Sequence, residues 1–381
     1  MERIYLDHAA TSPMHPEVIE KMMNVMQQNF GNPSSIHSFG REARHILDES
    51  RLLIAKSINA QRNEIIFTSG GTEADNTALI GITHAYKDRG KHIITTNIEH
   101  HAILHTCHFL EKSGFEVTYL PVDEQGMVSI EELKSALRED TILVSIMYGN
   151  NEVGTIQPIR EIGEMLKDHQ AFFHTDAVQA YGLVKIDVKE LAIDLLSVSA
   201  HKINGPKGIG FLFIKEGIKH QPHLHGGEQE RKRRAGTESV PAIAGFAEAV
   251  KLAQNSMEEK VEQYRSFKRI LLSVFKEAGI AFEVNGSLDA SLPHVINVSF
   301  PGTNVEQMLV NLDLAGINVS SGSACTAGSI DPSHVLVAMF GKDSHRTKNS
   351  IRFSFGLNNN EQEIRQAGEE TVKIVNRLVK S

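Results

Sequence analysis

Tryptophan is missing from this chain of 381 residues, and cysteine occurs only twice, at Cys107 and Cys325. Two cysteines so far apart build no disulfide framework. No apolar run approaches the ~18 residues of a membrane span. The N-terminal "MERIYLDHAATSP" is charged and polar from the start, unlike a secretory signal. Neither sign of charge dominates. The formal net charge is −8, which argues against a protein held directly on nucleic acid by bulk electrostatics. These absences predict a cytoplasmic protein with no membrane partner, in a reducing compartment where a free thiol survives.

What is present is alternation. Short apolar runs such as "NEIIFTSG", "KHIITTN", "EVTYLPV", "TILVSIMY", "AFFHTDA", "DLLSVSA" and "GIGFLFI" are separated by amphipathic stretches such as "HAILHTCHFLEKSG" and "PIREIGEMLKDH". Strand and helix in turn predict an α/β fold with a mostly parallel sheet covered by helices, and ligands at the carboxyl ends of its strands. After one long helix expected near 240–278 the texture changes, and "HVINVSF", "GINVSSG" and "SIRFSFG" read as strands of a smaller sheet. The expected division is a large domain over 14–257 and a smaller one from 1–13 and 258–381.

The strand ends carry the chemistry. In "TSGGTEADN", glycines and the start of a helix offer Gly71 and Thr72 as donors to an anion. "FFHTDAVQ" puts Asp176 at one strand end, and "SVSAHKINGPKG" puts His201 and Lys202 at another. An acid and a lysine facing a phosphate cradle match the needs of pyridoxal phosphate: Lys202 as Schiff-base amine, Asp176 on the pyridinium nitrogen. Lys207 is a rival amine, placed by its "GP" context in the turn before the next strand. "NIEHHAILHTC" supplies His100 and His101 at a helix start. His101 and His105 have metal-ligand spacing but no compact third ligand follows, so no metal is expected. In "YGNNEVGTIQP", Asn150 and Asn151 read as a turn on the same sheet edge. The run Arg231, Lys232, Arg233, Arg234 is a solvated face, a phosphate contact or a docking patch. Cys107 reads as a packing residue. Cys325, in "SSGSACTAGS", has no large neighbours to pack against, which reads as a mobile loop (about 320–333) bearing a reactive thiol.

Taken in order, "YLDHAAT", "GNPSSIH", "TSGGTEADN", "EHHA", "NNEVG", "HTDAVQ", "SAHKINGPKGIG", "GGEQERKRRAGT" and "SSGSACT" resemble the NifS/IscS-type cysteine desulfurases, within the class V aminotransferase-like pyridoxal-phosphate enzymes. The resemblance runs nearly end to end. It implies the type I fold of PLP-dependent transferases and a homodimer. Lys202 would carry the cofactor and His100 stack on its ring. Asp176 would hold the ring nitrogen, with Gln179 and Asn151 near the phenolic oxygen. Gly71, Thr72, Ser199 and His201 would bind the phosphate, and Thr237 would reach that of the other subunit. Asn32 and Arg352 would grip the substrate carboxylate.

The implied reaction converts L-cysteine to L-alanine. Lys202 removes the α proton, and the Cys325 thiolate takes the sulfur as a persulfide. The best-known members carry an extension after the final helix that docks a scaffold protein. This sequence ends at "VKIVNRLVKS", which leaves a tRNA-thiolating enzyme and an iron–sulfur scaffold as equal sulfur acceptors. The alternatives are a selenocysteine lyase, a PLP-dependent aminotransferase, a metal-dependent hydrolase and a non-catalytic sulfur carrier.

Overall fold

A computed structural model describes residues 3–322 and 331–380. Seven strands form the main sheet, in the spatial order Ile65–Thr68, Gly210–Ile214, Leu195–Ser199, Phe172–Asp176, Thr141–Ser145, His92–Thr96 and Glu116–Leu120. All neighbours are parallel except around Gly210–Ile214, which runs antiparallel to both of its partners. Runs such as IIFT, HIITT and TILVS are β-branched and buried on both faces, the pattern of a sheet sandwiched between helices.

Alternate residues of each strand enter opposite cores. Ile65, Phe67, Leu196, Val198, Phe211 and Phe213 pack with the helices Ser38–Ser57 and Val240–Asn255. Ile66, Leu195, Leu212 and Ile214 pack with Gly71–Ala85 and His101–Lys112. Each fully buried Leu, Ile or Phe contributes about 1.5–3 kcal/mol over its exposed state. Cys107 is a free, fully buried thiol in this second core.

A further core lies around an antiparallel sheet ordered Ser350–Ser354, Val295–Ser299, Glu283–Asn285. The helices Met257–Glu277, Val305–Leu314 and Glu361–Lys380 cover it. Ile4 and Leu6 belong to it, and Ile4–Tyr5 pairs in parallel with Ile317–Asn318.

One expectation is corrected. The long helix near 240–278 is two helices, Val240–Asn255 and Met257–Glu277. Ser256 leaves helical geometry, and both its N–H and its hydroxyl donate to the Leu252 carbonyl, at 3.2 and 2.7 Å. A serine hydroxyl bonded back to the carbonyl four residues earlier weakens and bends a helix, and here the bend is a break. The break passes the chain from the first core to the third.

Candidate active site

The carboxyl ends of the parallel strands open into a cavity of about 380 Å³. Asp176 ends one strand, and Lys202 lies in the 3-10 turn Ala200–Lys202 after the next. Gly71 and Thr72 begin the helix Gly71–Ala85, which has no side-chain cap at its N-terminus. Its first N–H groups are therefore left for an acceptor in the cavity. Glycine is required here: a Cβ at Gly71 would lie 2.9 Å from Val178 Cγ2 and 3.7 Å from Ser199 Cβ, narrowing the cradle. His100, Asn151, Gln179, Ser199, His201 and Arg352 also line the cavity.

Hydrogen bonds aim these groups. Lys202 Nζ donates to the Ala9 carbonyl and, at 2.7 Å, to that of Ala10. Asp176 Oδ1 accepts from Val178 N at 2.9 Å. His100 caps the helix His101–Lys112, its Nδ1 accepting from Ala102 N at 3.1 Å. The ring proton of the neutral His100 is therefore on Nε2. Arg352, 4% exposed, is held by the Asn151 carbonyl at 3.0 Å and Asp7 Oδ1 at 2.8 Å, and its buried Nε has no partner. That guanidinium is pre-oriented, with donor capacity left for an incoming carboxylate.

Burial tunes the charges. It lowers the Lys202 ammonium to about 8, helped by the Arg352 charge and opposed by Asp176 and Asp7. It raises Asp176 to about 6, against the Val178 hydrogen bond and the Lys202 cation. His100 and His201 each fall to about 4, through burial first and then the Lys202 charge. At neutral pH the site holds a readily freed amine, an ionised aspartate and two neutral imidazoles.

Residues not named from the sequence join them. Asp75 lines the cavity with one buried oxygen unpartnered, and burial and the Asp176 charge push it well above the usual carboxylate range. Asp7, Ala9 and Asp75 lie inside "YLDHAAT" and "TSGGTEADN", so the motifs covered them without separating their roles.

Other residues do not line this cavity. Asn32 is exposed, its Oδ1 accepting from Ser34 N at 2.9 Å. Thr237 is exposed. Cys325 lies outside the described residues. Lys207 is exposed and lines a different cavity. Asn150 is buried in its own turn, its side chain bonding Ile98 O, Glu152 N and Val153 N. The His101 and His105 rings stack at 4.9 Å, and no group of three or more His, Cys, Asp or Glu among the described residues is arranged to hold a metal.

Two residues of the basic run, Arg233 and Arg234, are tied into the fold. Arg233 donates to Asn63 O and Ile65 O, and Arg234 forks onto Glu73 in the first turn of the cradle helix, at 2.8 and 3.2 Å. Lys232 pairs with Glu228.

Phosphate donors at a helix start, a carboxylate at a strand end and an easily deprotonated amine fit pyridoxal phosphate in chemistry.

Comparison with known proteins agrees with this donor set. The profile of the family Aminotransferase class-V matches residues 4–366. The chain is 62% identical over 378 residues to "Putative cysteine desulfurase IscS 1" of Bacillus subtilis (strain 168), covering 99% of this chain and all of that one. It is 50% identical over 376 residues to "Cysteine desulfurase IscS" of Clostridium botulinum (strain Kyoto / Type A2), covering 98% and 94%. A solved "NifS-like protein" superposes with a TM-score of 0.92 at 36% identity, covering 98% of this chain and all of that one. With the type I α/β architecture and the lysine–aspartate cavity in place, the chain belongs to the class-V aminotransferase family, among its NifS/IscS-type, pyridoxal-phosphate-dependent cysteine desulfurases.

Proposed function

We propose that this protein is a homodimeric, cytoplasmic cysteine desulfurase in which Lys202, Asp176, His100 and Arg352 process L-cysteine and Cys325 receives its sulfur. One observation carries the reading. A single cavity gathers an uncapped helix N-terminus, a strand-end aspartate, a low-pKa lysine and a braced arginine.

Pyridoxal phosphate, when bound, supplies an electron sink for charge developing at the substrate α carbon. The chain supplies the rest. Gly71, Thr72, Ser199 and His201 would hold the phosphate, with Thr237 of a second copy reaching the same group. Asp176 would pair with the ring nitrogen, and Gln179 and Asn151 would meet the phenolic oxygen. Arg352 grips the substrate carboxylate through its fork, with Asn32 assisting. Lys202, as free amine, takes the α proton. His100 donates from Nε2 and accepts a proton there in turn. The Cys325 thiolate attacks the substrate sulfur. A carbon–sulfur bond breaks, a sulfur–sulfur bond forms, and a persulfide and L-alanine result. The acceptor is a thiol of a tRNA-thiolating enzyme or of an iron–sulfur scaffold. Capture with persulfidated protein from cell extract separates the two.

The homodimer is supported by an apolar surface beside Asn32. Phe30 is 75% and Ile36 91% exposed, with Met23, Met26 and Phe39 close in sequence. Exposed groups of this kind mark an interface. The two-domain division, 14–257 against 1–13 with 258–381, is supported by the separate cores and the helix break at Ser256. Among the described residues no helix is long and apolar enough to cross a membrane.

The decisive experiment is Cys325→Ser. Sulfide release from L-cysteine with reductant falls to background, while the yellow absorbance of bound cofactor remains. Retained turnover removes Cys325 as the nucleophile and favours the aminotransferase or selenocysteine lyase alternatives.

A further inference from the structure

Two buried hydrogen bonds at the edge of the cavity point beyond the residues already assigned. Gln179 Nε2 donates to the Ala9 carbonyl at 2.9 Å, and the His294 Nε2 atom lies 3.0 Å from Gln179 Oε1. A carbonyl only accepts, so the Gln179 amide must turn its NH₂ toward Ala9 and its oxygen toward His294. The imidazole must then donate from Nε2. Its Nδ1 is left buried without a partner.

We infer that His294 is a positioning residue, locking the Gln179 amide so that its second N–H, and never its oxygen, faces the cofactor. The inference rests on the reading that Gln179 meets the phenolic oxygen. Without the histidine only the Ala9 carbonyl opposes a flip, and a flipped amide presents an acceptor to an acceptor.

The surroundings keep the ring in the required form. His294 is buried, and burial pushes its pKa well below the usual range. The positive charges of Lys268, Lys202 and Arg352 press in the same direction. The imidazole is therefore neutral, and its Gln179 bond selects the Nε2–H tautomer. His294 immediately precedes Val295–Ser299, which pairs with the strand of Arg352, and its carbonyl accepts from Phe355 N at 2.8 Å. The residue that orients Gln179 is thus tied to the strand expected to bind substrate. Ala9 O links the string onward, since Lys202 Nζ donates to the same atom.

The test is the pH titration of the yellow band of cofactor-loaded protein. Loss of a hydrogen bond to a charged oxygen in His294→Ala moves the midpoint up by about one unit. His294→Gln keeps an N–H donor at similar reach and stays near wild type. In a Gln179→Ala background, His294→Ala adds nothing.

An unchanged midpoint in His294→Ala, or an equal shift in both backgrounds, overturns the inference. The ring of the wild-type protein gives a second check, with only the conservative variant needed to assign it. With ¹⁵N-labelled histidine, the resonance lost in His294→Gln reports a neutral Nε2–H ring between pH 6 and 9, and an Nδ1–H ring sinks the proposal. If wild-type protein develops no yellow band with added pyridoxal phosphate, the assignment of the site itself fails, a result distinct from an unchanged midpoint.

Discussion

At the scale of single residues, Lys202 holds its proton loosely because burial and Arg352 oppose the charge. A pKa depressed to about 8 leaves about a tenth of the amine free at pH 7, half at pH 8 and most at pH 9. Only the free amine attacks an aldehyde. Cofactor capture by apoprotein is therefore expected to speed up roughly tenfold from pH 7 to 9 and then level off. Stopped-flow absorbance measures it, and a rate still climbing steeply above pH 10 would mean an ordinary lysine. Arg352 is held by Asp7 and Asn151 at two of its nitrogens. Lysine has no fork to satisfy both and a substrate. Arg352→Lys is expected to raise KM for L-cysteine roughly ten- to hundredfold while the yellow band is kept. An unchanged KM removes Arg352 from the substrate site. Lys202 and Asp176 were legible at their strand ends, and Arg352 only through the family resemblance. The pairing of Arg352 with Asp7 was not, because 345 positions separate them.

At the scale of elements, the segment "GGEQERKRRAGT" shows how a charge run acquires a structural task. Glu230 is buried in a two-pronged pair with Arg51, both contacts at 2.6 Å, and it also accepts from Phe67 N in the adjoining strand. Glu230, Arg231 and Lys232 all have φ between 47° and 67°. Three successive non-glycine residues in that region are held by their surroundings, at roughly 1–2 kcal/mol each. Arg51→Ala leaves Glu230 as an uncompensated buried charge and is expected to cost about 3–5 kcal/mol, read as a lower denaturant midpoint. A loss below about 1 kcal/mol would mean that the pair is effectively solvated. Because Arg234 pairs with Glu73 in the cradle helix, the same variant is expected to weaken cofactor retention. Sequence alone left this run open between a solvated face, a phosphate contact and a docking patch. Periodicity reports which face a residue occupies and not which distant carboxylate it meets.

At the scale of the molecule, the residues left outside the cavity are the informative ones. Asn32 and Thr237 do not line it within one chain, while Phe30 and Ile36 stand exposed beside Asn32. If a second copy covers this face, Ile36→Asp puts a charge into a desolvated interface. The variant is expected to sediment as a monomer, and its cofactor affinity should drop at least tenfold through loss of the partner's Thr237. A wild-type protein that sediments as a monomer at micromolar concentration, with full cofactor affinity, would refute the arrangement.

The alternation of strand and helix, and the placing of Asp176 and Lys202 at neighbouring strand ends, were determined by the sequence alone. Strand and helix periods are local, and a strand end announces itself in the few residues that follow it. Only the tertiary structure decided the antiparallel course of Gly210–Ile214, the break at Ser256, the bracing of Arg352 and the string from His294 through Gln179 to Ala9. Gln179 and Ala9 are 170 positions apart. Such contacts form because burial leaves each polar group to find a partner across the fold, and no local pattern says which partner it will be.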